Sequence, residues 1–275
     1  MRELGACRAL LFTPGNRAER FAKAGASGAD AVILDLEDAV SLPDKDKARA
    51  SLLEFFRTPQ PGFGLRVNNI HTPAGVRDLD ALVASGIQPA FLVLPKVESA
   101  FEVRLYARLL DRPLLCTIES ARGLEAAADI ASADPRVQAL AFGGADLAVD
   151  LRAELAWEPM LWGRGRVAQA AATAGIAAID VPHVVLDDEA GLRADALRAK
   201  AMGFGAKLAI HPRQLGPILE IFTPTAAELE RAAAVVAAYE KAGGNVVEYQ
   251  GKMVEGPIVK SAQRLLALAG KPHPI

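Results

Sequence analysis

The chain has 275 residues, 51% hydrophobic and 23% charged, with a formal net charge of -2 at pH 7. That length accommodates one (β/α)8 barrel, which takes roughly 250 residues, with a short tail left over. The near-balanced charge, without a long lysine or arginine run, argues against a nucleic-acid or membrane-surface partner, and no apolar stretch reaches the roughly 18 residues of a membrane helix. The two cysteines, Cys7 and Cys116, are far apart and form no CxxC pair, which argues against a disulfide framework and a thiolate zinc site. The first residues make a poor signal peptide, so a cytoplasmic location is expected.

Short apolar runs alternate with amphipathic stretches along the chain. Strands are expected at 8–14, 31–38, 64–68, 90–96, 114–120, 137–143, 177–183 and 206–212. Helices are expected between them at 19–27, 44–57, 74–85, 99–110, 121–131, 160–174 and 187–202. The strands are apolar throughout rather than alternating, as both faces of a parallel sheet are buried. Eight such units favour a closed barrel over an open doubly wound sheet, and no GxGxxG follows the first strand. The reading is a barrel domain over 1–222 and a C-terminal extension over 223–275. In the extension, a helix at 225–242 capped by Thr225 precedes a hairpin at 245–254 turning at Gln250-Gly251, and a last helix spans 257–269.

Chemistry in such a barrel belongs at the carboxyl ends of the strands. The polar residues there are Asp35, Glu37, Asp38, Arg66, Asn68, Lys96, Glu119, Asp146, Asp180, His183 and His211. Carboxylates without thiolates favour a hard cation, Mg2+ or Mn2+. Glu119 and Asp146 each follow an apolar run, where a charge is costly unless paired or bound to metal; a helix cap or a salt bridge serves either one equally well. Arg66 either forms a buried ion pair or clamps a substrate carboxylate with its fork. His183 and His211 each adjoin a proline; either is a general base or a structural hydrogen-bonding group, and neither is given a catalytic role.

The stretches FTPGNRAERFAKA, AVILDLEDAVSLPDKDKAR, LRVN, LVLPKVES, TIES, FGGADLAVDL, GFGAKLAIHP and GKMVEGPIVKSAQRLL occur in this order along the chain. In them the chain resembles the citrate lyase beta-subunit-like group of the HpcH/HpaI aldolase/citrate lyase family. The resemblance implies a TIM barrel whose C-terminal helix packs on a neighbouring subunit of a homotrimer. It implies Mg2+ held by Glu119 and Asp146, with Glu119 also facing substrate and Glu37, Asp38 and Lys96 behind them. It also implies that Arg66 binds the carboxylate of an oxaloacetate-, pyruvate- or glyoxylate-like keto acid. The implied reaction is cleavage of a 3-hydroxyacyl-CoA thioester into a keto acid and acetyl-CoA, or the reverse. Alternatives on the same scaffold are a thioester hydrolase, a malate-synthase-like enzyme, or the beta subunit of a larger citrate lyase.

Two departures stand out: Ala145 where many relatives carry an acid, and Glu255 where relatives often have aspartate. Glu255 is either an acid–base group acting across a subunit interface or a carboxylate at a helix N-terminus. Arg17, Arg20 and Lys23 near the first strand are candidates for CoA phosphates, Arg17 and Lys23 foremost, or else a solvated helix face.

Overall fold

A strand of three to six residues leaves its backbone N–H and C=O groups unpaired unless it joins a sheet. In the computed structural model, which describes residues 4–270, eight such strands join in parallel. They are β1 (Ala9–Pro14), β2 (Ala31–Asp35), β3 (Phe63–Arg66), β4 (Leu92–Leu94), β5 (Leu114–Ile118), β6 (Val137–Phe142), β7 (Ala177–Asp180) and β8 (Ala206–Ala209). Each pairs with the next, and β8 returns to β1 through Lys207 opposite Ala9 and Leu208 opposite Leu10, closing the expected barrel. Inside, Leu10, Ile33, Val93, Leu115, Ile179 and Leu208 belong to one buried core. Gly64 on β3 leaves room for Phe91; a Cβ there would lie 2.4 Å from its ring.

Helices fill the connections: α1 (Phe21–Gly25), α2 (Lys45–Phe55), α3 (Pro73–Ser85), α4 (Ala100–Leu109), α5 (Ala121–Glu125), α6 (Ala127–Ala131), α7 (Gly144–Leu151), α8 (Trp157–Ala174), α9 (Glu189–Ala201) and α10 (Leu215–Phe222). Short polar side chains start several of them: Thr72 accepts from Gly75 N, Ser99 from Glu102 N and Ser120 from Gly123 N.

Differences from the sequence expectation lie at element ends and in two added helices, α7 and α10. The strand expected over 31–38 stops at Asp35, whose carboxylate accepts from the N–H groups of Glu37 and Ala39 and so turns the chain. The one expected over 206–212 stops at Ala209, because His211 caps a 3-10 turn opened by Pro212. The helix expected at 121–131 is two short helices broken at Ala126. α7 was not anticipated, and it carries Asp146 in its first turn.

The chain divides into two compact units, one running to Glu220 and the other beginning at Ile221. In the second unit, α11 (Ala226–Lys241) opens with a capping box between Thr225 and Glu228. β9 (Val247–Tyr249) and β10 (Lys252–Val254) pair antiparallel, and α12 (Gly256–Gly270) follows. Gln250 and Gly251 both have positive φ, 52° and 73°, as a two-residue type I′ turn requires. No helix among the described residues is long and apolar enough to cross a membrane.

Candidate active site

Residues two apart on a strand share a face, so the core positions determine which side chains reach the barrel mouth. Ile33 is in the core, and Asp35 follows it on β2. Gly64 leads to Arg66 on β3, and Leu115 leads through Thr117 to Glu119 just past β5. Asp35 and Arg66 are register partners. The guanidinium grips the carboxylate with both arms, Nε to Oδ1 and Nη2 to Oδ2, each at 2.7 Å. Its face lies 4.6 Å from the centre of the Phe12 ring. The buried ion pair considered for Arg66 is therefore present.

That pairing does not exhaust the guanidinium. Two of its five N–H groups donate to Asp35. Nη1 lies 3.0 Å from Glu37 Oε2 as an ion pair, but Oε2 has no hydrogen-bond partner. Donors thus remain for a ligand. Asp35 and Glu37 outweigh burial and hold the Arg66 guanidinium firmly protonated.

Lys96 follows β4 with φ 50°, a left-handed conformation uncommon for a residue with a side chain. Its N–H donates to Thr117 Oγ1 at 3.2 Å, and its carbonyl accepts from Asn69 Nδ2 at 3.4 Å. Its ammonium reaches Glu37 at 2.8 Å, Asp38 at 3.3 Å and Asp146 at 3.7 Å. Burial disfavours that charge, but the Glu37 hydrogen bond and the surrounding carboxylates outweigh it and raise its pKa. Burial raises the Glu37 pKa against the pull of Arg66. Lys45 fixes the loop after β2, donating to the carbonyls of Leu36 and Glu37 at 2.8 and 2.7 Å.

Glu119 is the least satisfied group of this cluster. It is 6% exposed, and its Oε2 has no hydrogen-bond partner. Burial, aided by the Glu37 charge and opposed by Arg66, pushes its pKa up to about 7. A buried carboxylate oxygen without a donor is costly in the protein alone and suits a cation. Asp146 is more open, and the same Lys96 reaches it while acting on the Glu119 charge.

Other strand-end residues fall elsewhere. Asp180 faces the helical layer, where it pairs with Lys207 at 2.5 Å and with Arg164 at 3.0 Å. Asn68 donates to Asp78 at 2.7 Å. His183 Nδ1 lies 2.9 Å from Asp195, and His211 caps the turn after β8; both fit the structural reading. Arg17 and Lys23 are exposed around the start of α1. Glu255, in the second unit, precedes α12, and its carbonyl accepts from Ile258 and Val259. Sequence reasoning missed Phe12, Thr117 and Gly143 as parts of the site. The alternation Phe12–Pro14 and Leu115–Thr117–Glu119 carried a signal for the first two, but nothing local marked Gly143.

The profile of the HpcH/HpaI aldolase/citrate lyase family matches residues 8–212. The chain belongs to that family. It is 35% identical over 286 residues to the citrate lyase subunit beta of Leuconostoc mesenteroides subsp. cremoris, covering 97% of this chain and 94% of that one. It is 36% identical over 271 residues to the (3S)-malyl-CoA thioesterase of Cereibacter sphaeroides, covering 95% and 94%. Among solved structures, CitE from Mycobacterium tuberculosis in complex with magnesium, acetoacetate and coenzyme A superposes with a TM-score of 0.84 at 34% identity, covering 98% of this chain and 100% of that one. For this family member, the unpartnered Glu119 oxygen and the carboxylate of Asp146 are a donor set that fits a hard divalent cation.

Proposed function

We propose that the chain is a Mg2+-dependent carbon–carbon lyase. It splits a 3-hydroxyacyl-CoA thioester of the citramalyl-, malyl- or citryl-CoA type into a keto acid and acetyl-CoA, or runs the condensation. The observation that carries this reading is Glu119, a buried carboxylate at the barrel mouth whose Oε2 lacks a hydrogen-bond partner beside a cluster of fixed charges. Glu119 and Asp146 would hold the cation; two carboxylates suit Mg2+, which keeps waters and takes substrate oxygens, and Mn2+ would serve too. Support also comes from the relatives, one named a lyase and one acting on malyl-CoA, and from the neighbour complexed with magnesium, acetoacetate and coenzyme A.

When bound, the metal supplies Lewis-acid stabilisation of the charge that develops on oxygen beside the breaking bond. Arg66 binds the keto-acid carboxylate with the N–H groups that Asp35 leaves free, and Phe12 and Asp35 keep the guanidinium oriented. Glu37, Asp38 and Lys96 set the charge around the site. In cleavage, the substrate hydroxyl gives its proton to the Glu255 carboxylate, the carbon–carbon bond breaks to leave the keto-acid carbonyl, and the enolate carbon of the leaving acetyl thioester gains a proton. Glu255 of a neighbouring subunit in a homotrimer delivers that proton, and Arg17 and Lys23 bind the CoA phosphates. The site of action is the cytoplasm, where the two buried thiols, Cys7 and Cys116, stay reduced.

A panel of acyl-CoA thioesters assayed with Mg2+ and with excess chelator tests the reading. Glyoxylate and acetyl-CoA formed from (3S)-malyl-CoA support a lyase. Free malate in their place makes the chain a hydrolase, the activity named for the Cereibacter relative. Turnover unchanged in chelator overturns the metal assignment.

A further inference from the structure

Charge balance around the mouth singles out one side chain. Asp35, Glu37, Asp38, Glu119 and Asp146 bring five carboxylates to it. Arg66 grips Asp35 and lies 3.0 Å from Glu37, with its remaining N–H groups left for the substrate carboxylate. Among the described residues, the ion pair drawn to Asp146 is that of Lys96, at 3.7 Å, and the same ammonium holds Glu37 at 2.8 Å and Asp38 at 3.3 Å. The backbone keeps it there. Lys96 sits in the left-handed region at φ 50°, its N–H held by Thr117 and its carbonyl by Asn69. A left-handed lysine is strained relative to right-handed backbone, so the surrounding contacts override the local preference.

An ammonium 3.7 Å from an Asp146 oxygen lies within the space where a cation bound to that oxygen exerts strong repulsion. Two positive charges cannot share Asp146 at this distance without cost. Glu37 and Asp38 offer the ammonium a retreat without a change of backbone.

Resting on the metal site proposed above, we propose that Lys96 is a tethered counter-ion. Its ammonium ties Asp146 to Glu37 and Asp38, and it competes with the divalent cation for Asp146. Lys96 is thus a positioning residue that keeps the carboxylates in place before metal arrives and weakens metal binding in return. Because it retreats rather than leaves, the carboxylates need not rearrange when the metal dissociates.

Mn2+ binding to the full chain, followed by calorimetry and by the spectrum of free Mn2+, tests this in wild type, Asp146→Asn, Lys96→Met, Lys96→Gln and Lys96→Arg. The rise in melting temperature on adding Mn2+ is measured in parallel. Removing one positive charge beside a divalent cation should tighten Mn2+ binding about tenfold or more in Lys96→Met and Lys96→Gln. Their metal-induced rise in melting temperature should exceed that of wild type, while their metal-free melting temperature falls. Lys96→Arg keeps the charge and should stay within about threefold of wild type. A residue that only supports the fold would lower the melting temperature without tightening metal binding. Unchanged or weaker Mn2+ binding in both neutral variants overturns the proposal. The metal site is judged separately: Asp146→Asn must weaken Mn2+ binding, and if it does not, the site and with it the role of Lys96 both fall.

Discussion

Gly143 and Glu119 compete for the same space. A Cβ on Gly143 would lie 2.1 Å from Glu119 Cγ and 2.9 Å from its Oε1. The end of β6 therefore stays bare so that the carboxylate arriving from β5 can lie across it. Gly143→Ala should push Glu119 out of place and lower both Mg2+ affinity and kcat about tenfold or more, with the barrel still folded. Metal titration, with circular dichroism as the check on folding, decides it; unaltered metal affinity would mean that Glu119 does not ligate from this position.

Arg66→Lys keeps a positive charge but cannot grip Asp35 with two arms or leave a planar set of donors for a carboxylate. KM for the keto acid in the condensation direction should rise about tenfold or more, with little change in KM for acetyl-CoA. Thermal stability should fall as well, because Asp35 is buried and loses a bidentate partner. Normal keto-acid binding by this variant would assign Arg66 to structure alone.

The Lys207–Asp180–Arg164 group makes the opposite prediction. Lys207 and Asp180 are fully buried between the barrel and its helices. Lys207→Met should destabilise the protein by roughly 3–5 kcal/mol, the cost of leaving a buried charge without its partner, yet leave KM and metal affinity unchanged in the folded fraction. Denaturant unfolding gives the first quantity and steady-state kinetics the second. A selective loss of activity would tie Asp180 to the chemistry after all.

Glu255 precedes α12, and proline at the second position of that helix suits its start. Glu255→Gln should leave folding and keto-acid binding intact and lower kcat about a hundredfold or more, the usual scale for losing a general acid or base. Glu255→Asp should keep or improve turnover. A normal kcat in Glu255→Gln would reduce the residue to a helix cap and leave the proton donor unassigned.

Local patterns account for most of the architecture. The eight apolar runs, Thr225 as the cap of α11, and Gln250-Gly251 at a hairpin turn depend on neighbours within a few residues, so periodicity and turn chemistry reveal them directly. The resemblance in turn located the stretches that bear Arg66, Glu119 and Asp146. Strand ends were less legible, because β2 and β8 end where Asp35 and His211 capture backbone N–H groups.

What only the tertiary structure decided is which strand-end polar residues meet. Asp35 and Asp180 look alike in sequence, each an aspartate ending an apolar strand, yet one faces the barrel mouth with Arg66 and the other faces the helices with Lys207. The parity of each strand relative to the closed core sets that difference, and a one-residue shift in parity exchanges the two faces. The same holds for Lys96 and its three carboxylates on other loops, and for Gly143 beneath Glu119. Those contacts join residues 24 to 59 positions apart, and they exist only once strand order and register bring the loops together at one end of the barrel.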